Sequence, residues 1–175
     1  MNEIMNQAKL LKDDLISYRR AIHRNPEVGS ELSKTKTYVI NKLKEFGYDP
    51  EEICESGIVA TIEGPKPGKT FLLRADMDAL PMSEETECNF KSTNGCMHSC
   101  GHDMHTAMLL GAARLLKENQ QQIEGTVKIV FQPDEEGFTG AKKMIKAGVL
   151  TNPKVDAAMA MHVHSGTPSN VVLCG

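Results

Sequence analysis

TFLLRADMD, residues 70–78, sets a short continuous apolar run directly before two carboxylates, Asp76 and Asp78. The same arrangement returns twice. Residues 127–131 are followed by Pro133 and then by Glu135 and Glu136, and residues 157–161 lead directly into His162 and His164. Short unbroken apolar runs of this kind become strands covered on both faces. Open α/β sheets bind their ligands just beyond the carboxyl ends of such strands. Three parallel strands would therefore bring three sets of metal-type side chains to one edge.

Outward from these runs, helical and strand-like segments alternate. Ile4, Ala8, Leu11 and Leu15 have helical spacing, and that helix should end before Pro26, because the residue preceding proline avoids helical geometry. HRNPEVG, residues 23–29, is predicted as a loop. A second helix carries Leu32, Val39, Leu43 and Phe46, with Gly47 as its stop. Residues 57–62 predict a strand, GPKPGK at 64–69 a turn, and the segment through Met144 and Ile145 a helix ending near Gly148. The expected class is α/β, with helices packed on a mixed, largely parallel sheet. No internal repeat or low-complexity tract interrupts it.

With 175 residues, 40% of them apolar, the chain can build a real core. A formal net charge of -3 with scattered Lys and Arg leaves no basic face for nucleic acid. No apolar run approaches the ~20 residues of a membrane span, and MNEIMNQAKLLKDD lacks the basic and apolar order of a secretion signal, so a cytoplasmic location is the expectation. Five cysteines, odd in number and unevenly spaced, suit reduced thiols. Cys54, Cys88 and Cys174 read as core or incidental thiols, and the ten methionines as filling for a core poor in aromatics.

CMHSCGHDMH, residues 96–105, concentrates two thiols and three imidazoles in ten residues at the start of a helical pattern running through Met108, Leu109, Ala112, Leu115 and Leu116. Taken alone, Cys96, Cys100, His102 and His105 are the four soft ligands of a closed structural zinc site. That reading leaves the carboxylates unexplained. A catalytic centre needs an open position and a nearby base, which the acidic sets supply. Singly, each set has an ordinary explanation: Asp76 and Asp78 as turn formers or caps, Glu135 and Glu136 as a solvated loop, His162 and His164 as surface histidines. His23 reads as a loop or helix-end histidine, and Arg74 as the partner of a carboxylate.

HRNPEVG, LLRADMDALPM, MHSCGHDMHTAMLLGAARLL, FQPDEEG and MHVHSG follow one another in an order that resembles the peptidase-like amidohydrolases. Hippurate hydrolase, the auxin-conjugate hydrolases, N-acetyldiaminopimelate deacetylase and other N-acyl amino acid amidohydrolases belong to that group. The resemblance implies that Cys100, His102, Glu136 and His162 bind two divalent ions, zinc or manganese, with Glu135 as general base and Asp78 orienting a metal ligand. His164 stays open as an alternative to His162, since residues two apart on extended chain share a side. By the same rule, adjacent Glu135 and Glu136 would point to opposite sides. Asp103 and His105 match motif positions without a carried-over role.

The implied substrate is a small N-acyl amino acid or dipeptide-like amide, with no nucleic acid or membrane partner. Residues 1–175 would be the N-terminal part of the metal-binding domain. The family's lid domain, which usually makes a homodimer, and a further metal-binding histidine would be absent. The expectation is then weak metal binding, little turnover and poor solubility from an exposed sheet edge.

Overall fold

The computed structural model describes residues 2–168 and 171–173. The element order is α1 (Asn2–Leu10), α2 (Lys12–His23), α3 (Ser33–Glu45), β1 (Glu51–Ile53), β2 (Gly57–Glu63), β3 (Lys66–Asp76), α4 (His102–Glu118), β4 (Glu124–Gln132), α5 (Gly140–Lys146) and β5 (Ala157–Ala160). A five-stranded mixed sheet runs in the order β1-β2-β4-β3-β5. Strands β3, β4 and β5 are parallel, while β1–β2 and β2–β4 are antiparallel. The parallel half carries the polar strand ends, as the apolar runs predict.

Several boundaries differ from those read locally. The first helix is two, because the chain turns at Leu11, which buries its side chain while Leu10 stays exposed. Much of the turn expected at 64–69 is strand: β3 begins at Lys66, with a register shift before Thr70 that lets it pair with β4. β1, three residues long and too short for a periodic signal, has no counterpart in the sequence reading. β5 is exposed along its length, so the third apolar run is an edge strand and not a strand covered on both faces.

One face of the sheet is deeply covered. Ile58, Ile62, Ile129 and Phe131 from the strands pack against Leu43 of α3 and Leu110 of α4 in a single buried cluster. Burying aliphatic and aromatic side chains of this size stabilises by roughly 1.5–3 kcal/mol each. The other face holds a smaller group, Leu72, Val130, Met144 and Val149, under α5. Beside it, buried Lys128 donates from Nζ to the carbonyls of Val149, Asn152 and Pro153 at 2.8, 2.9 and 3.1 Å. Burial lowers the ammonium's pKa, and the three acceptors replace its water shell.

The HRNPEVG loop is also structural. Glu27 accepts the Lys34 and Thr35 backbone N–H groups at 3.0 and 2.8 Å, capping α3, and its own carbonyl accepts from Ala79 N–H beyond β3. The cap ties the helical layer to the segment that carries the acids.

Candidate metal centre

Asp76 is the last residue of β3, and Asp78 follows two residues later. Glu135 and Glu136 lie in the turn after β4, and His162 follows β5. Opposite these ends, α4 starts at His102, with Cys100 just before it. Gly101 between them holds a left-handed φ of 88°, and a Cβ there would run into the Val163 side chain. Glycine thus allows the β5 exit to pass against the α4 start.

His102 is fully buried, and its Nδ1–H donates to the Asp78 carbonyl at 2.8 Å. In the neutral ring that bond fixes the tautomer and presents the Nε2 lone pair to the acids opposite. Nε2 has no hydrogen-bond partner, and neither has the buried Oε1 of Glu136. Around Nε2 stand Asp76 Oδ2 at 3.7 Å, Glu135 Oε2 at 3.8 Å and Glu136 Oε1 at 3.9 Å. Such gaps are too long for hydrogen bonds and suit ligand atoms that share an ion about 2.0–2.2 Å from each.

Cys100 Sγ lies 3.5 Å from His162 Nε2, whose ring donates from Nδ1 to the Val163 carbonyl. Cys100, His102 and His162 form one group with metal-ligand spacing, and His102, Glu135 and Glu136 form another. Burial pushes the Cys100 thiol up to about 11, helped by the hydrogen bond and charge of Glu136 and by the charges of Glu135 and Asp76. Burial lowers the His102 pKa, but Asp78 and Asp76 outweigh it and the net shift is upward. The rise at His102, and the part that Glu136, Glu135 and Asp76 add to burial at Cys100, express excess negative charge, which a divalent cation offsets. An unpartnered imidazole nitrogen, an unpartnered carboxylate oxygen and a thiol among acids fit a metal pair.

Asp78 acts through its whole residue. Its carbonyl holds His102, while its carboxylate accepts the Glu135 N–H at 3.0 Å and the Glu136 N–H at 3.1 Å. The carboxylate lies 3.5 Å from His102 Nδ1, so the carbonyl makes the closer contact. These two N–H bonds wrap the glutamates into a turn that begins at Asp134, with φ of 53°. Glu135 and Glu136 therefore do not point to opposite sides. Both carboxylates approach the same His102 nitrogen, because the chain there is a turn and not extended.

The remaining sequence candidates divide sharply. His105 accepts Val163 N–H at Nε2 and donates from Nδ1 to Asp76 Oδ1 at 2.6 Å, so both nitrogens are used. Arg74 pairs with Asp76 Oδ2 at 2.7 Å, as expected of a carboxylate partner. Cys96 joins no metal-type group among the described residues, so the four-ligand zinc knuckle is not assembled. His164 turns its Nδ1 to the Gly166 N–H and belongs to no such group among the described residues, whereas His162 does. Cys54 is exposed, Cys88 half-buried, and Cys174 lies outside the described residues.

Sequence reasoning missed a second buried assembly. His23, the last residue of α2, lies between Asp103 at 2.8 Å and Glu84 at 3.1 Å, and Arg19 Nε donates to the same Asp103 oxygen at 2.8 Å. Pairing with Asp103 raises the His23 pKa against the lowering effect of burial, with Glu84 adding to the rise. His98 is buried nearby with both ring nitrogens unpartnered, and burial pushes its pKa down to about 4. His23, Glu84, His98, Cys100 and His162 line one cleft of about 600 Å³.

Residues 72–174 match the sequence profile described as peptidase family M20/M25/M40. The chain is 44% identical over 98% of its length to thermostable carboxypeptidase 2 of Saccharolobus solfataricus, covering 44% of that protein. It is 39% identical over 93% of its length to an N-acyl-L-amino acid amidohydrolase of Geobacillus stearothermophilus, again covering 44%. Among solved structures, a Bacillus subtilis protein described as a dinuclear metal binding peptidase superposes with a TM-score of 0.87 at 37% identity, over 91% of this chain and 45% of that one. The chain thus spans a little under half the length of the relatives it matches. Among the described residues, no helix is long and apolar enough to cross a membrane.

Proposed function

The chain belongs to peptidase family M20/M25/M40, and from that premise we propose that it serves metal-assisted hydrolysis of the amide bond in N-acyl amino acids. Cys100, His102, Glu136 and His162 would hold two divalent ions, zinc or manganese, and Glu135 would be the general base. The observation that carries this reading is the bare, buried Nε2 of His102 ringed by three carboxylates at 3.7 to 3.9 Å. The Geobacillus amidohydrolase and the Bacillus dinuclear peptidase support the substrate class and the metal number.

A divalent pair bound there supplies Lewis acidity toward a water and the substrate carbonyl. Glu135 is the more exposed of the two glutamates, with its side chain 34% accessible against 27% for Glu136. It takes the water's proton and carries it to the departing amine, which leaves only when protonated. Asp78 keeps both glutamates in register through their N–H groups, and Asp76 is held away from protonation by His105 and Arg74, which overcome the effect of burial. A thiolate with imidazoles suits zinc, and the carboxylates admit manganese.

Hydrolysis of N-acetyl amino acids and hippurate, assayed with added zinc or manganese, tests this reading. Glu135→Gln should lower turnover by ~10²–10⁴-fold with bound metal unchanged. A Glu135→Gln protein working at the wild-type rate would overturn the base assignment, and one that loses metal would move Glu135 among the ligands.

A further inference from the structure

We propose an additional metal site, independent of the centre above, made by His23, Glu84 and Cys88 and suited to a thiophilic divalent ion such as zinc. Cys88 is the residue that separates this cluster from an ordinary buried ion pair. Its Sγ lies 3.6 Å from Glu84 Oε1, which is itself 3.1 Å from His23 Nε2, and one ligand atom from each of the three residues lies within 4.8 Å of the others. Zinc bonds of about 2.0–2.3 Å in a tetrahedron place neighbouring ligands about 3.3–3.8 Å apart, close to the 3.6 Å and 3.1 Å separations of Cys88 and His23 from Glu84, with the third separation within 4.8 Å.

The histidine is presented as metal-binding histidines are. Asp103, fully buried and held by Arg19, takes the Nδ1–H and so aims Nε2 at Glu84 and Cys88. All three ligands line the cleft that also reaches Cys100 and His162, which leaves a fourth position open toward it. Charge is conserved in the exchange. With His23 and Cys88 protonated, Arg19, His23, Asp103 and Glu84 sum to zero. When a divalent ion replaces those two protons, the sum with the Cys88 thiolate is again zero. Binding therefore brings no uncompensated charge into a buried cluster. It would tie the end of α2 to the segment before Cys100, stiffening one wall of the cleft.

Cobalt(II) alone is the probe, read by bound equivalents and by the thiolate-to-cobalt charge-transfer absorption. Cys100→Ser removes the thiol of the first centre, and Cys88→Ser that of the second. The expected result is that Cys100→Ser keeps a thiolate band, that the double variant loses it, and that Cys88→Ser alone binds one equivalent fewer than wild type. His23→Gln, checked for native circular dichroism, should also lose that equivalent. Unchanged equivalents and band in Cys88→Ser would overturn this site, as would a thiolate band that survives the double substitution. Indifference of the spectrum to Cys100→Ser would instead count against the first centre, so the two failures are distinct.

Discussion

Two buried histidines in this molecule are set up alike and finished differently. His102 donates Nδ1–H to the Asp78 carbonyl, and His23 donates Nδ1–H to the Asp103 carboxylate. Beyond each ring stand acids. At His102 the nearest carboxylate oxygens stay 3.7 to 3.9 Å away and the nitrogen is unpartnered, whereas at His23 Glu84 closes to 3.1 Å. A gap of the first size leaves the nitrogen open for an ion, and a gap of the second is bridged by a proton that an ion bound by His23, Glu84 and Cys88 would displace. The contrast shows how the fold, and not the residue types, leaves one His–carboxylate group open and closes another through a proton.

The largest expected effect comes from breaking the His102 side. His102→Ala should lower zinc affinity by more than ~100-fold, and Asp78→Asn, which leaves the ring but weakens the grip on the Glu135–Glu136 turn, by roughly 10–100-fold. Isothermal titration of both variants checks this, and equal losses would mean that Asp78 contributes as much as a direct ligand. Next is Gly101→Ala. A left-handed φ and the approach of Val163 should cost about 1–3 kcal/mol in denaturant unfolding and loosen the Cys100–His162 pair. Wild-type stability in that variant would show that the β5 exit can move aside freely.

The smallest effect is electrostatic and sharpens the His23 side. Arg19, Glu84, Cys88, His98 and Asp103 face or neighbour that ring. Its pKa is raised in the folded state, so its contribution is fully present below the ordinary value of 6.5 and is lost as pH rises through the raised folded value. Asp103 and Glu84 shift the other way. Burial alone would raise them, but hydrogen bonds from His23 and Arg19 to Asp103, and from Thr86, Ser92 and His23 to Glu84, bring them below their ordinary values. Their contribution holds above those ordinary values and fades as pH falls through the folded ones. In chelator-treated protein, the melting-temperature difference between wild type and His23→Gln should be greatest near pH 5–6 and shrink at higher pH. A difference that stays flat to pH 10 would remove the charge from His23.

Much of the site was legible because strand ends are a local signal. An apolar run followed by Asp76 and Asp78, by Glu135 and Glu136, or by His162 needs only its own few residues to be recognised, and the parallel pairing of β3, β4 and β5 gathers those ends at one edge. Arg74 and Asp76 were equally readable, being two residues apart on one strand face. The glutamate pair was misjudged for the reason that makes strands easy. Alternation along extended chain places Glu135 and Glu136 on opposite sides, but the Asp78 carboxylate, 57 and 58 residues away, folds the chain into a turn. The exposed face of β5 and the burial of Lys128 likewise depend on what lies beside them in space.

By itself the sequence determined the α/β class, the strand ends that carry acids and histidines, and the start of α4 beside Cys100, because these follow from periodicity and from apolar runs a few residues long. Tertiary structure alone decided which nitrogen of His102 is bare, that His162 and not His164 meets Cys100, that His105 is used up by hydrogen bonds, and that His23 joins Asp103 and Glu84. Each of those choices depends on partners 24 to 80 residues apart in the chain. Differences of under 1 Å between such partners separate a closed hydrogen bond from an open group at ligand spacing, and no local pattern of residues encodes them.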